Sequence, residues 1–211
     1  MRKSIIATGL LAFGLMSCGN EEVKENQESA REIAAQNAVV ADTEVLNADI
    51  VWTGYKSIGS EHTGTIQLKE NNLMFKNGEL VGGNVVVDMT SLDNTDLDGE
   101  WKDKLIGHLN SDDFFSSQNY PTSVLRITAV NPKGEGEYVV EADLTIKDIT
   151  NTESFTAKVE EIEGKQVLTT NLNIDRTAYN VKYGSSNFFQ GLGDKAIEDK
   201  FNLDVRIETT L

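Results

Sequence analysis

Apolar residues recur at every second position through most of this chain, and that period constrains the fold more than any other feature. Ile50, Trp52 and Gly54 share one parity, then Gly64, Ile66 and Leu68, then Leu73 and Phe75. Val85, Val87 and Met89 follow, and later Leu125, Ile127 and Ala129. Tyr138, Val140, Ala142, Leu144 and Ile146 make one long run. Phe155, Ala157 and Val159, then Leu168 to Ile174, then Phe201 to Ile207 repeat the pattern. Such alternation marks strands with one buried face. Turn signals fall between the runs at Asn77-Gly78, at Pro132-Lys133-Gly134 and at Gly164. The count is eight or nine strands. Short connections make sequential strands antiparallel. That many antiparallel strands form a sandwich or close into a barrel, and closure removes the edges. The chain shows no internal repeat of the kind that marks propellers or solenoids. The class is all-β, in one domain over residues 44–211, long enough to bury about 70% of its unfolded surface without metal or disulfide.

One stretch interrupts the strands: Leu105 to Pro121, LIGHLNSDDFFSSQNYP. It carries one of the two histidines, His108, the acids Asp112 and Asp113, and Phe114 and Phe115. Leu97, Trp101, Leu105 and Leu109 recur at four-residue spacing, which predicts a short helix with one apolar face. Pro121 pushes Tyr120 toward an extended conformation and a strand follows. A short helix and an aromatic loop between strands suit a flap over one end of a β-structure. The same stripe also suits a helix that only plugs the core. In an extended segment neighbours point to opposite sides, so one of Phe114 and Phe115 is expected to enter the β-structure and the other to face away.

The amino-terminus is of different composition. Met1-Arg2-Lys3 precedes an apolar run from Ile5 to Met16, 12 residues long, well short of the ~20 that span a bilayer. A basic start and a short apolar run predict a secretory signal peptide over residues 1–17. The run ends Leu15-Met16-Ser17-Cys18, which resembles the lipobox of bacterial lipoproteins, although Met16 replaces the small residue more usual there. The resemblance implies cleavage before Cys18 and lipidation of that residue, a stable anchor because it carries several acyl chains. Cys18 is the only cysteine, so no intrachain disulfide can form. Residues 18–43 are rich in Glu, Asn, Gln and Ala and lack aromatics. They read as the lipidated Cys18 followed by a tether. The expected location is the bacterial cell envelope, lipid-anchored at the outer membrane and facing the periplasm or the surface. Loss of Arg2 and Lys3 with the leader takes the formal charge from −15 to −17. A polyanion of this kind is repelled by nucleic acid and by anionic lipid, so membrane attachment rests on the acyl chains.

Three segments together resemble a known family. GHLNSDDFFSSQNYPTSVLRITAV, ADLTIKDITNTESF and NIDRTAYNVKYG are similar to the YceI-like lipid/polyisoprenoid-binding family, and the resemblance runs from Val45 to Leu211. Its most specific part is H-L-x-S-x-D-F-F, with Tyr-Pro six residues beyond the first Phe. GSEHTGTI, with His62, is similar to the family's early hairpin. Asn151-Thr152-Glu153 and Tyr179-Asn180 depart from the residues usual at those places. The resemblance implies a lipocalin-like antiparallel eight-stranded barrel with a short helix and loop as flap, an extracytoplasmic location and an elongated cavity. The implied ligand is one amphiphilic lipid, a polyisoprenoid or a fatty acyl chain. The resemblance does not imply catalysis.

Eight strands make a barrel that is either filled by its own side chains or holds one small ligand. Candidate ligand contacts are the aromatics Trp52, Phe75, Phe114, Phe115, Tyr138, Phe155, Phe188, Phe189 and Phe201, any of which also suits an ordinary core. Phe188 and Phe189 lie in a long loop, Thr177 to Asp194, with Gly184, Gly191 and Gly193, the kind of loop that serves as a lid. Polar candidates are His62, His108, Arg126 and Arg176; Arg126 has the parity opposite to Leu125 and Ile127 and also suits solvent, and Arg176 better suits a pair with Asp175 or a nearby acid. No catalytic residue and no metal ligand stand out. There is no GxSxG, no cysteine left as nucleophile, and the two histidines are 46 residues apart. Asn94 to Gly99 matches the first half of a calcium loop, but Leu105 stands where the bidentate Glu belongs. The segment reads as a turn with Asp98 as helix N-cap. No cofactor is implied, and the oligomeric state is open, a homodimer included. The alternative function is a non-catalytic envelope interaction module with a filled barrel. The anchor is tested directly: Cys18→Ser should move the protein to the soluble fraction, and a variant that stays uncleaved on the membrane overturns the anchor.

Overall fold

The computed structural model describes residues 45–210. The expected segments over residues 1–44, Cys18 among them, lie outside the described residues. Eight strands run β1 Val45–Lys56, β2 Glu61–Lys76, β3 Glu79–Asn94, β4 Thr122–Gly134, β5 Glu137–Ile146, β6 Ile149–Ile162, β7 Lys165–Asp175 and β8 Ile197–Thr210. One helix, α1 (Gly99–Asn110), lies between β3 and β4. Each strand pairs antiparallel with the next, and β1 pairs with β8, so the sheet is a closed barrel in chain order. Closure pairs the ladder of every strand.

Four connections are two-residue turns: Asn77-Gly78, Glu135-Gly136, Lys147-Asp148 and Glu163-Gly164, with both residues at positive φ in each. That is the turn whose twist matches a hairpin. The turn expected at Pro132–Gly134 lies two residues further on. β4 continues through Pro132, opposite Tyr138, and the register shifts between Pro132 and Gly134. The irregularity accommodates a residue that has no N–H to donate.

Because every strand reverses the last, successive connections alternate between the barrel's two ends. The turns at 77–78, 135–136 and 163–164 share one end, as do the start of β1 and the finish of β8. The other end carries the 57–60 turn, the 95–121 segment with α1, the 147–148 turn and the 176–196 loop. Both long connections are therefore at one end. Lys147, in the two-residue turn there, donates Nζ to the Phe114 carbonyl at 2.8 Å and fixes the flap to the barrel.

The alternating residues face inward. On β5, Tyr138, Val140, Ala142, Leu144 and Ile146 are all buried. Two packed clusters result. One, with Leu73, Phe75, Leu80, Tyr138, Val140, Ala157, Val159, Leu168 and Ile207, fills the end of tight turns. The other, with Trp52, Ile66, Met89, Leu109, Phe114, Phe115, Leu172 and Tyr179, lies under α1 and the long loop. β1 and β2 meet at Trp52 opposite Gly64. The Trp52 indole lies across Gly64 and donates Nε1 to the Asp93 carbonyl at 3.1 Å. A Cβ at Gly64 would fall 1.9 Å from that carbonyl oxygen and 2.5 Å from the indole. Gly64→Ala should therefore overpack the site by about 1–3 kcal/mol, read as a lower melting temperature and a shifted Trp52 emission. An unchanged melting temperature would mean that this approach is looser than described.

Candidate functional site: an axial cavity beneath the flap

A cavity of about 440 Å³ runs along the barrel axis. Its deep end is lined by Leu73, Leu80, Val140, Ala157 and Ile207, all buried. Toward the other end it meets Leu125, Phe155, Phe201 and Leu203, then Phe114, Phe115 and Leu109. It reaches exposed lining residues, Tyr55, Lys56, Tyr183, Glu198 and Lys200, at the end that carries α1 and the long loop. That end is the mouth. The cavity is within the ~300–1,000 Å³ usual for small-ligand sites. Gly54 stands opposite Phe201 across the β1–β8 ladder, which leaves the mouth open beside the Phe201 ring.

Of the expected contacts, Trp52, His62, His108, Phe114, Phe115, Phe155, Arg176 and Phe201 line this cavity, and the remainder are placed elsewhere. Phe75 and Tyr138 are buried in the cluster at the closed end and plug the floor behind the lining. Phe188 and Phe189 are half-exposed on the loop. Leu105, Tyr183 and Leu203 also line the cavity and are not among the expected contacts. Leu203 belongs to the alternating run of β8, where parity alone carries the signal; Tyr183 has none.

Phe114 and Phe115 both point inward, contrary to the expected split. The chain is not extended there: Phe115 N–H donates to the Leu109 carbonyl at 3.1 Å and Phe114 N–H to Ser111 at 3.0 Å. The backbone turns just past α1, so strand alternation does not apply. The two rings meet edge to face at 5.2 Å. Asp112 staples the turn by accepting from the Ser116 hydroxyl and from Asn119. The apolar stripe of α1 is buried only at its carboxy-terminal half. Leu109 is buried and Leu105 partly so, but Trp101 is 70% exposed. Leu97 precedes the helix.

His108 lies between aromatic rings, 5.4 Å from Phe114 and 4.4 Å from Tyr183. Its Nε2 is buried without a hydrogen-bond partner. Arg176, at 2% exposure, pairs with a nearby acid, but not with Asp175. It donates to three carbonyls: Nη1 to Val181 at 2.8 Å, Nε to Glu198 at 3.0 Å and Nη2 to Ile197 at 3.0 Å. Its ion pair is with Asp199 at 3.6 Å, and its guanidinium lies over Phe114 at 5.4 Å. Asp175 instead accepts from the N–H and hydroxyl of Thr177. Burial pushes Arg176 below the ordinary arginine value, against the pull of Asp199, Asp175 and Glu198. Each of its three nitrogens donates to a carbonyl, so Arg176 ties the two ends of the long loop together. Tyr179 at the root of that loop is fully buried and donates to Glu153 at 2.7 Å. Burial, with that carboxylate, pushes its phenol up.

His62 accompanies Asp96 at 2.8 Å. Asp96 also accepts from the Thr63 N–H and from Asn94. Asp98 occupies the N-cap position but caps nothing with its side chain; Asn94 Oδ1 takes the Leu97 N–H instead. Residues 94–99 are thus a hydrogen-bonded knot that positions α1. Among the described residues no group of three His, Cys, Asp or Glu side chains gathers as a metal site.

An eight-stranded up-and-down barrel with one apolar axial cavity and a flap over its mouth is a lipocalin-type barrel. The YceI-like domain model matches residues 39–209. The chain belongs to the YceI-like family. It is 31% identical over 166 residues to UPF0312 proteins of Vibrio vulnificus strains YJ016 and CMCP6, covering 75% of this chain and 74% of each relative. Among solved structures, Burkholderia cenocepacia BcnA is similar with a TM-score of 0.61 at 19% identity, over 80% of this chain and 100% of that one. A polyisoprenoid binding domain from Saccharophagus degradans, implicated in plant cell wall breakdown, gives 0.59 at 13%, over 80% and 96%. The Campylobacter jejuni YCEI protein gives 0.55 at 18%, over 69% and 84%. At these identities the structural likeness shows the fold.

The knot at Asp96 has a pH signature. Burial acts to raise its carboxyl, but hydrogen bonds from His62, Thr63 and Asn94 outweigh that and hold it below the ordinary aspartate value. A depressed carboxyl contributes stability above its unfolded value of about 3.9 and loses it as the pH falls through the folded value. The melting temperature should therefore drop between pH 6 and pH 3. Asp96→Asn should drop less over that interval, and equal drops in the two proteins would remove Asp96 from the account.

Proposed function

We propose that this protein is a lipid-anchored envelope protein that binds or carries one amphiphilic lipid, a polyisoprenoid or a fatty acyl chain, inside its barrel. The observation that carries this reading is the apolar cavity, buried at one end of the axis and open at the other. A single chain enters tail first, and the head group stays near His62, His108 and the lysines of the mouth. Each buried methylene contributes up to ~0.8 kcal/mol, so a long chain binds with few polar contacts even after ordering costs. That a Saccharophagus degradans domain of this fold is named for polyisoprenoid binding supports the same ligand class. The proposed site residues are Trp52, Phe114, Phe115 and Phe155 around the tail, with His62 and His108 near the head. Arg176 acts by holding the loop. The protein performs no catalysis in this reading. Residues 1–17 are its leader, Cys18 its lipidation site and 18–43 its tether, at the outer membrane. The cavity weighs against a filled interaction module.

A displacement titration on delipidated protein tests the reading, with fatty acids and isoprenoid alcohols of increasing length at two salt concentrations. Affinity should rise with length until the cavity is full, then level off, and salt should change it little. Flat affinity across the series, or no binding by folded protein, would sink the carrier.

A further inference from the structure

Among the described residues the five most exposed large apolar side chains gather at one end, whereas Leu46, Val81 and Ile162, at 41–43%, lie at the other. Ile58, Trp101, Tyr183, Phe188 and Phe189 are 65, 70, 47, 50 and 49% exposed. All five belong to connections at the mouth end: the 57–60 turn, α1 and the long loop. Trp101 is four residues before Leu105 and seven before His108, both of which line the cavity, so it continues their face of the helix outward. Tyr183 packs on His108 at 4.4 Å. The Ser57 N–H donates to the Ala196 carbonyl at 3.1 Å, which joins the turn bearing Ile58 to the end of the loop bearing Phe188 and Phe189. A concentration of aromatics on one end of a water-exposed protein marks an interaction surface.

We propose that this rim docks on the interface of a zwitterionic lipid bilayer, so that the cavity opens into the acyl layer rather than into water. The inference rests on the lipid-carrying reading for its purpose, but not for its geometry. Three observations choose this occupant. First, the rim is continuous with the mouth of the cavity, and a chain leaving through that mouth meets the rim. Second, the rim is built as interfacial residues are: Lys104 Nζ lies 4.8 Å over the Trp101 ring and Lys182 Nζ 4.7 Å over the Phe188 ring. Rings with ammonium groups beside them suit the boundary of hydrocarbon and head group. Third, the mouth presents both signs of charge, Lys56, Lys200, Lys104 and Lys182 against Glu198 and Asp98. A zwitterionic head group meets both, whereas a chain of net charge −15 is repelled by an anionic surface.

Tryptophan quenching tests the docking. The full chain is mixed with phosphatidylcholine vesicles whose acyl chains carry bromine near the head group. Emission should be quenched in the wild type, and the quenchable part should vanish in Trp101→Phe, since Trp52 is inside the barrel. An anchor at Cys18 alone would hold the protein on vesicles without that quenching. Phe188→Ser with Phe189→Ser should slow vesicle-to-vesicle transfer of a fatty acid about tenfold or more, with its equilibrium affinity unchanged. Absence of Trp101 quenching overturns the proposal, as does a rim that instead binds a protein partner or a second copy while the vesicle arms stay blank. Quenching without any fatty-acid binding would sink the carrier reading and leave the docking surface standing.

Discussion

The ladder between β1 and β8 is the interaction on which the rest of this structure depends. Without it the eight strands would be an open twisted sheet with two unpaired edges and an apolar face needing a cover. With it, one face becomes an interior that no other layer has to fill. The inner residues then need only line a tube. A tube of eight strands is narrow enough that a few large residues decide whether it is solid. Phe75 and Tyr138 make it solid at one end, and the absence of a side chain at Gly54, opposite Phe201, helps to leave it hollow at the other. Cavity and core are therefore the same set of alternating residues, distinguished by size and by position along the axis.

The two ends of the barrel differ because of loop chemistry. Two-residue turns at positive φ are too short to cover anything, and three of them occupy the closed end, where packed side chains do the sealing instead. The mouth end has the long connections, and each is held by polar groups that act on backbone. Lys147 secures the Phe114 carbonyl, Asp96 and Asn94 secure the approach to α1, and Arg176 gathers three carbonyls of the long loop. Burying an arginine is expensive unless its donors are satisfied and its charge is opposed. Here both conditions are met, by those carbonyls and by Asp199.

Much of this was legible from residue order. Alternation at Tyr138 to Ile146 predicts both that strand and its buried face, and Asn77-Gly78 predicts the turn between β2 and β3. The closed barrel, the flap and the family were legible through the motif around His108. What was not legible depends on interactions between distant residues. Pro132 looked like a turn because the register shift that tolerates it is a property of two strands together. Phe114 and Phe115 looked like a strand pair because the hydrogen bond from Phe115 back to Leu109 cannot be read from neighbours in sequence. Arg176 looked like half of a local ion pair, while its partners come from the far end of the same loop. Of the aromatics, alternation could place Phe75 and Tyr138 inside but could not say at which depth the interior stops being hollow.

An even number of strands, each reversing the last, returns the chain to the end where it started. β1 begins and β8 finishes at the closed end, so the backbone enters the barrel at the pole opposite its mouth. If Cys18 holds the protein to a bilayer, a short stiff link would keep the opening pointed away from that same bilayer. The 26 residues between Cys18 and Val45 can span up to roughly 90 Å when extended, against strands of at most 16 residues, or about 53 Å along their own axis. Under such an anchor, a tether of that length would let the barrel somersault. The tether's length, rather than its composition, is what would let one molecule face either its own membrane or whatever lies across from it.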